Sequence, residues 1–153
     1  MPKLMHLLVV ALGLALVTAM TAAGSRTLSG PGTIRVTIKL AKHIHVDEGT
    51  RGIGAGDVDF YRELIYNTRI TPKPIGHTDV ACTFTGTGSS NCSGTYLMPQ
   101  GKIVIGGVIG SHQTYTLAVL GGTGLYDNVR GTLTVSPLSK GSKQSNVSFK
   151  LGV

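Results

Sequence analysis

Residues 76–131 read GHTDVACTFTGTGSSNCSGTYLMPQGKIVIGGVIGSHQTYTLAVLGGTGLYDNVRG. Short runs in which apolar and polar side chains alternate follow one another here, and glycine, serine, asparagine or proline separates them. Alternation with a period of two is typical of a strand with one buried face, and the separating residues favour tight turns. The stretch therefore predicts a meander of antiparallel strands.

The same pattern extends in both directions along the chain. We predict an all-β protein without a long helix, with strands at residues 34–46, 57–67, 77–85, 93–98, 102–110, 114–120, 132–137 and 146–151. Eight antiparallel strands can close into a single barrel with room for one small ligand. A two-sheet sandwich fits the same strand count.

The first residues have the composition of an export signal. Lys3 precedes an uncharged apolar run over residues 7–20, and Thr21-Ala22-Ala23 supplies the small side chains of a cleavage site. We predict a signal peptide over residues 1–23 and one barrel domain over residues 24–153. The alternative is a membrane anchor, since the run is nearly long enough to span a bilayer. Cleavage predicts a secreted protein (extracellular, periplasmic or in the cell-wall space), with no membrane contact afterwards.

The charge of the chain is basic but scattered. Removing Lys3 with the signal peptide leaves thirteen basic and seven acidic residues, a net charge of +6. Nucleic-acid binding is disfavoured, because there is no Trp and no interleaving of aromatic and basic residues of the kind that stacks bases.

Cys82 and Cys92 flank a predicted turn, and export exposes them to an oxidising compartment. We expect them to form a disulfide that closes one hairpin and contributes roughly 2.5–3 kcal/mol, the alternative being two free thiols. A metal site is not expected, since two sulfurs without a neighbouring His at ligand spacing cannot complete a tetrahedral shell.

Several short motifs occur in the order found in one family of small barrels. They are GD at 56–57, KPIGHT at 73–78, TY at 95–96, GKI at 101–103, TLAV at 116–119, GGTGLY at 121–126, RG at 130–131 and FKLG at 149–152. On these residues the chain resembles the allene oxide cyclase barrel family from Gly56 onward and, more distantly, the plant dirigent proteins. The resemblance implies an eight-stranded barrel that guides a cyclisation or coupling by shape, without a cofactor, and a homotrimer.

The chain departs from the family pattern at several functional positions. Arg62 stands where the cyclases have an asparagine, His112 stands where they have a tyrosine, and their acidic residue on the first strand has no clear counterpart. Of the dirigent pattern, only the arginine after the Gly-Gly-Thr-Gly segment is retained, as Arg130. We read that glycine segment, residues 121–124, as a tight turn at the barrel rim, where glycine permits positive φ and close backbone approach.

One parity of the second strand carries Asp57, Asp59, Tyr61 and Glu63. If that face points inward, closely spaced carboxyls raise at least one pKa, as acid–base chemistry requires. Sequence leaves the face of Asp59 and Tyr61 open, while Glu63 is expected outside. Asp57 follows a loop and has the alternative role of holding a turn.

The first strand places His43 and His45 on one face, as a metal site would need, but two exposed histidines beside Arg35 and Lys39 are the favoured interpretation. Lys42 falls on the apolar parity of this strand, which predicts a bulge or the end of the strand close by.

The function hypothesis is a barrel that binds a small apolar molecule and guides its cyclisation or coupling. We assign catalytic roles to Asp59, Tyr61 and Arg130. The ligand-binding candidates are Tyr66, Tyr96, His112 and Tyr115. The alternatives are a non-catalytic lipocalin-like carrier or interaction protein, and a metal-dependent cupin-like enzyme. A cavity of a few hundred Å³ with two or three inward polar groups favours the enzyme, whereas a filled interior excludes it.

Overall fold

The computed structural model describes residues 32–49, 51–68, 73–86 and 88–152, which form one closed barrel of eight antiparallel strands. The predicted signal peptide and the start of the predicted domain lie outside the described residues. The strands are β1 (Gly32–Val46), β2 (Val58–Tyr66), β3 (Gly76–Phe84), β4 (Ser90–Met98), β5 (Gly101–Ile109), β6 (Tyr115–Gly124), β7 (Arg130–Pro137) and β8 (Gln144–Gly152).

Each strand pairs with the next along the chain, and β8 closes the barrel by pairing with β1 from Gly32–Leu151 to Lys39–Gln144. The all-β barrel predicted from the alternating pattern is thus confirmed, and the sandwich alternative is excluded. Closure leaves no unpaired sheet edge, which is how a small all-β protein satisfies its backbone hydrogen bonds. No described segment forms a helix that could cross a bilayer.

Inward-facing side chains of every strand form a single core. The most deeply buried apolar side chains are Ile38, Ile65, Cys92, Tyr96, Ile103, Ile105, Val129, Leu133, Val147 and Phe149. The Tyr96 and Phe149 rings pack edge to face, with centroids 5.1 Å apart. This part of the interior is therefore filled by closely packed side chains.

A bulge between Leu40 and Lys42 reverses the facing of β1. This confirms the irregularity predicted at Lys42. It also changes which residues of β1 face inward after Lys42, which the alternating pattern alone does not show. Beyond the bulge, His43 and His45 lie directly opposite Tyr61 and Asp59 of β2. The histidines are exposed, as expected, but they do not share the face of Arg35 and Lys39, because an extra residue shifts the two-residue period by one.

The inward face of β2 is the polar one. Asp59 is 7% exposed and Ile65 is fully buried, whereas Phe60 on the other parity is 45% exposed. The expectation that Glu63 lies outside is therefore wrong. The register of β2 against both neighbouring strands, rather than its own hydrophobicity, decides which face turns inward.

The glycine segment 121–124 is part of β6 rather than a turn, and the turn follows at residues 125–128. A side chain at Gly122 would meet the backbone oxygens of Tyr126 and Lys102. The close approach expected of these glycines is thus present, although in a strand that folds back against its own turn.

Candidate functional site

The barrel interior contains a cavity of about 250 Å³. Strands β2 to β7 supply its wall, which consists of Tyr61, Glu63, Val80, Cys82, Cys92, Tyr96, Ile105, Ile109, Tyr115, Leu117 and Leu133. Most of these side chains are apolar or aromatic, as in small-molecule sites generally. The cavity is slightly smaller than the usual range of about 300–1,000 Å³ for such sites, so it has room only for a small molecule.

Glu63 is the one charged side chain among the described residues that line this cavity. Its carboxyl makes no hydrogen bond and no ion pair within the described part of the chain. Burial raises the pKa of Glu63 to about 7 because the apolar surroundings disfavour the charged form. At neutral pH the Glu63 carboxyl is therefore present in both its protonated and its ionised form.

Tyr96 and Tyr115 line the same cavity from β4 and β6. Burial raises the pKa of Tyr115 to about 12 and that of Tyr96 well above its usual range, and the nearby Glu63 carboxylate adds to both shifts. Both hydroxyls therefore remain protonated at neutral pH. A protonated hydroxyl can donate a hydrogen bond, so these groups can orient a ligand.

Thr78 lies between Glu63 and Tyr96 in the same cross-strand row. Its Oγ1 is completely buried and has no hydrogen-bond partner among the described residues. Buried polar groups are nearly always paired, so an unpaired one calls for an explanation, and a role in binding or catalysis is one such explanation. Thr78 and Glu63 therefore place two polar side chains in this row that have no hydrogen-bond partner among the described residues.

Asp59 stands at the centre of a second, fully paired cluster on β1 and β2. Its Oδ1 lies 2.9 Å from His43 Nε2 and 2.8 Å from His45 Nδ1, and Tyr61 donates its hydroxyl to Oδ2 at 2.8 Å. The His43 and Tyr61 rings stack with centroids 4.7 Å apart.

Burial opposes ionisation of Asp59, but the hydrogen bonds from His43, His45 and Tyr61 outweigh it and lower the Asp59 pKa. The hydrogen bond to Asp59 raises the pKa of His45, although burial opposes it. Burial and the same carboxylate also raise the pKa of Tyr61. The cluster therefore contains an ionised carboxylate that fixes the orientation of the Tyr61 side chain. Tyr61 in turn forms part of the cavity wall.

Asp57 stabilises the loop before β2, as its alternative role predicted. Its carboxylate accepts the backbone N–H groups of Glu48 at 2.8 Å and Gly54 at 2.7 Å. These two bonds lower the Asp57 pKa. The loop that leads from β1 to β2 is thus fixed next to the Asp59 cluster.

The other predicted site residues do not line the cavity. Arg130 is exposed and donates from its Nη1 to the carbonyl oxygen of Leu120 at 2.8 Å. Tyr66 is buried at the end of β2, and His112 is exposed in the loop before β6. Arg62, at the position of the cyclases' asparagine, lies on the outer face and makes two hydrogen bonds to Asp79.

Cys82 and Cys92 form the predicted disulfide, joining directly paired residues of β3 and β4. Within the described residues, no group of three or more His, Cys, Asp or Glu side chains is arranged to hold a metal ion. His43 and His45 bond instead to Asp59, an arrangement that sequence reasoning missed. The bulge signal at Lys42 was the clue that could have found it.

No protein-family model and no curated protein sequence matches the chain. Solved structures do match. A pyocyanin demethylase is 26% identical, with a TM-score of 0.69 over 78% of this chain and 99% of its own. The pterocarpan synthase dirigent protein GePTS1 is 14% identical, with a TM-score of 0.66 over 88% of this chain and 98% of its own.

A third structure is described as a nonspecific heme-binding cyclase that catalyses [4 + 2] cycloaddition during neoabyssomicin biosynthesis. It is 13% identical, with a TM-score of 0.62 over 94% of this chain and 76% of its own. The dirigent and cyclase structures share the barrel fold with this chain. The expected likeness to dirigent barrels is thereby confirmed, whereas a specific likeness to allene oxide cyclases stays a prediction.

Proposed function

We propose that the protein binds one small, mainly apolar molecule inside the barrel and guides its cyclisation, or a related rearrangement, by proton transfer at Glu63. The observation that carries the proposal is the unpaired Glu63 carboxyl in an otherwise apolar cavity. A carboxyl in such surroundings costs folding free energy, and an apolar residue of similar size would cost less. A carboxyl that occupies a cleft at a cost in stability, with a shifted pKa, is a candidate for chemistry.

The pKa of Glu63 suits the proposed role. A general acid or base works best when its pKa lies near the working pH, and burial brings Glu63 to about 7. The carboxylate would take a proton from a carbon or heteroatom of the ligand, and the carboxylic acid so formed would return the proton to a different atom of the rearranged ligand. The enzyme regains its starting state, so neither an oxidant nor a cofactor is needed.

The walls would supply the second part of catalysis. Tyr96 and Tyr115 would donate hydrogen bonds to fix one orientation, and the aliphatic side chains would restrict the ligand to folded conformers while excluding water. Asp59 would act through Tyr61 as a positioning residue. Arg130, Tyr66 and His112 receive no role in this proposal, since they do not line the cavity.

The comparisons support this class of function without identifying a reaction. The names of the neighbours describe a demethylase, a dirigent protein and a cycloaddition catalyst, each a barrel that acts on a small organic molecule. The Cys82–Cys92 disulfide fits the oxidising environment of a secreted protein. Secretion and the trimer implied by the resemblance stay predictions, which fractionation and native mass spectrometry check.

The proposal is tested by incubating the purified protein with a small-molecule extract of its host culture and comparing the products by mass spectrometry. We expect at least one compound to be converted to an isomer of the same mass. Glu63→Gln should slow this conversion by about 10²- to 10⁴-fold, the usual contribution of a general acid or base. Glu48→Gln is the matched control, because Glu48 is an exposed loop carboxyl outside the cavity.

Equal conversion by the wild type and Glu63→Gln would contradict the proposal. A compound that the protein retains but returns unchanged would favour the carrier instead. In that case the Glu63→Gln variant is tested for retention of the same compound. Unchanged retention would assign binding to the shape of the cavity, and lost retention would assign it to the carboxyl.

A further inference from the structure

The charge of the cavity is set by a single group. None of the basic residues in the described part of the chain lines it, and Glu63 is not paired with any of them. The basic residues of the described segments therefore all lie outside this cavity. The charge inside the cavity is negative when Glu63 is ionised, because no basic residue of the described segments lines the cavity as a counter-ion.

The remaining polar atoms of the cavity are also suited to positive charge. Tyr61, Tyr96 and Tyr115 line the cavity with aromatic side chains, and the Tyr61 hydroxyl is already bonded to Asp59. An aromatic face attracts a cation, most strongly where water is excluded. An anion would instead meet the Glu63 carboxylate at short range in a medium of low dielectric, where like charges repel strongly.

We propose that the ligand of this cavity is a small ring compound that carries one positive charge, such as an N-alkylated or protonated nitrogen heterocycle. The inference rests on the proposed function, which places the ligand beside Glu63. The apolar walls hold the body of the ring, and the ligand supplies the positive charge that the protein does not. Small carboxylate anions should bind most weakly while Glu63 is ionised.

The preference depends on pH through Glu63 alone among the groups that face the cavity. The titratable groups that line it from the other strands are Tyr96 of β4 and Tyr115 of β6, and Tyr61 is the neighbour on its own strand. All three tyrosines have raised pKa values and stay neutral. Cys82 and Cys92 are joined in the disulfide. The preference for a cation should therefore strengthen as Glu63 ionises.

Three probes of nearly equal shape separate charge from size, namely N-methylquinolinium, 1-methylnaphthalene and 1-naphthoate. Binding is measured by calorimetry at pH 8 and pH 5, at an ionic strength that screens the basic surface. At pH 8 we expect the cation to bind about tenfold more tightly than the neutral probe, and the anion most weakly. The difference should shrink at pH 5 and in Glu63→Gln, while Glu48→Gln should keep it.

The outcomes distinguish the inference from the function on which it rests. Equal affinity for the three probes, or preference for the anion, overturns the charge inference and leaves a binding cavity in place. An undiminished cation preference in Glu63→Gln overturns the assignment to this carboxyl. Failure of all three probes to bind at millimolar concentration overturns the cavity as a ligand site, and the inference with it.

Discussion

Asp59 and Glu63 lie on the same face of the same strand, yet their surroundings are opposite. Asp59 accepts hydrogen bonds from two histidines and a tyrosine, whereas Glu63 has no hydrogen-bond partner among the described residues and faces a mainly apolar cavity. The pKa of Asp59 is lowered and that of Glu63 is raised to about 7. Two carboxyls whose pKa values are driven apart commonly divide structural and chemical roles. In the proposed function, Asp59 therefore organises the site and Glu63 acts on the ligand.

The largest expected effect is the difference in kcat between variants of the two carboxyls. Once a substrate is identified, Glu63→Gln should lower kcat by about 10²- to 10⁴-fold, since the amide cannot exchange a proton at neutral pH. Asp59→Asn should have a smaller effect and should leave the pH profile set by Glu63 in place, because Asp59 acts only by positioning Tyr61. A profile that loses its pKa near 7 in Asp59→Asn would reverse these roles.

The second prediction concerns stability against pH. The folded protein holds the Glu63 proton more tightly than the unfolded chain, so the free energy of unfolding should fall as the pH rises from about 4.5 to about 7. This contribution is at most about 3 kcal/mol and is fully lost above that window. Urea unfolding across the range measures it.

Glu63→Gln should remove this part of the pH dependence and be more stable than the wild type above pH 7. Comparison at equal pH isolates Glu63, because the raised His45 pKa lowers stability at rising pH in both proteins. Identical curves for the two proteins would show that Glu63 is not desolvated.

The third prediction removes the paired carboxyl. Asp59→Ala leaves His43, His45 and the Tyr61 hydroxyl without their partner, and should destabilise the fold by about 1–3 kcal/mol at pH 7. Asp79→Ala is the comparison, since it breaks only exposed ion pairs, those with Arg62 and His77, and pairs of this kind are worth about 0–1 kcal/mol. Chemical denaturation measures both. Equal losses would mean that the Asp59 cluster is no more than a surface ion pair.

The smallest expected effect is that of one hydroxyl. Tyr61→Phe removes one of three hydrogen bonds to Asp59 and should cost about 1 kcal/mol. It should also bring the Asp59 pKa closer to its ordinary value, since that bond favours the carboxylate. Tyr66→Phe on the same strand is the control, because the Tyr66 hydroxyl makes no hydrogen bond within the described residues. A shift of the Asp59 pKa in the control alone would contradict the cluster.

The strands were predictable because alternation and turn residues are local signals. The β1 bulge was indicated by Lys42 on an apolar parity, and the disulfide by two cysteines flanking one hairpin turn. What sequence reasoning could not decide was the inward face of β2, since a two-residue period is equally consistent with either face.

The apolar residues of β1 and β2 were misleading on this point. Ile44 and Phe60 are more than 40% exposed on the outside, while Asp59 and Glu63 face inward. Hydrophobicity alone therefore assigned Glu63 to the wrong side. The site depends on long-range register, which eight strands fix only together when the barrel closes.

The central claim is best tested by titrating the Glu63 side-chain carboxyl by carbon-detected NMR, with Glu63→Gln used to assign the resonance. A midpoint near pH 7 is predicted, because the group is desolvated and has no partner in the described structure. A midpoint near 4.5, the ordinary value for glutamate, would show a hydrated or paired carboxyl and would contradict the account.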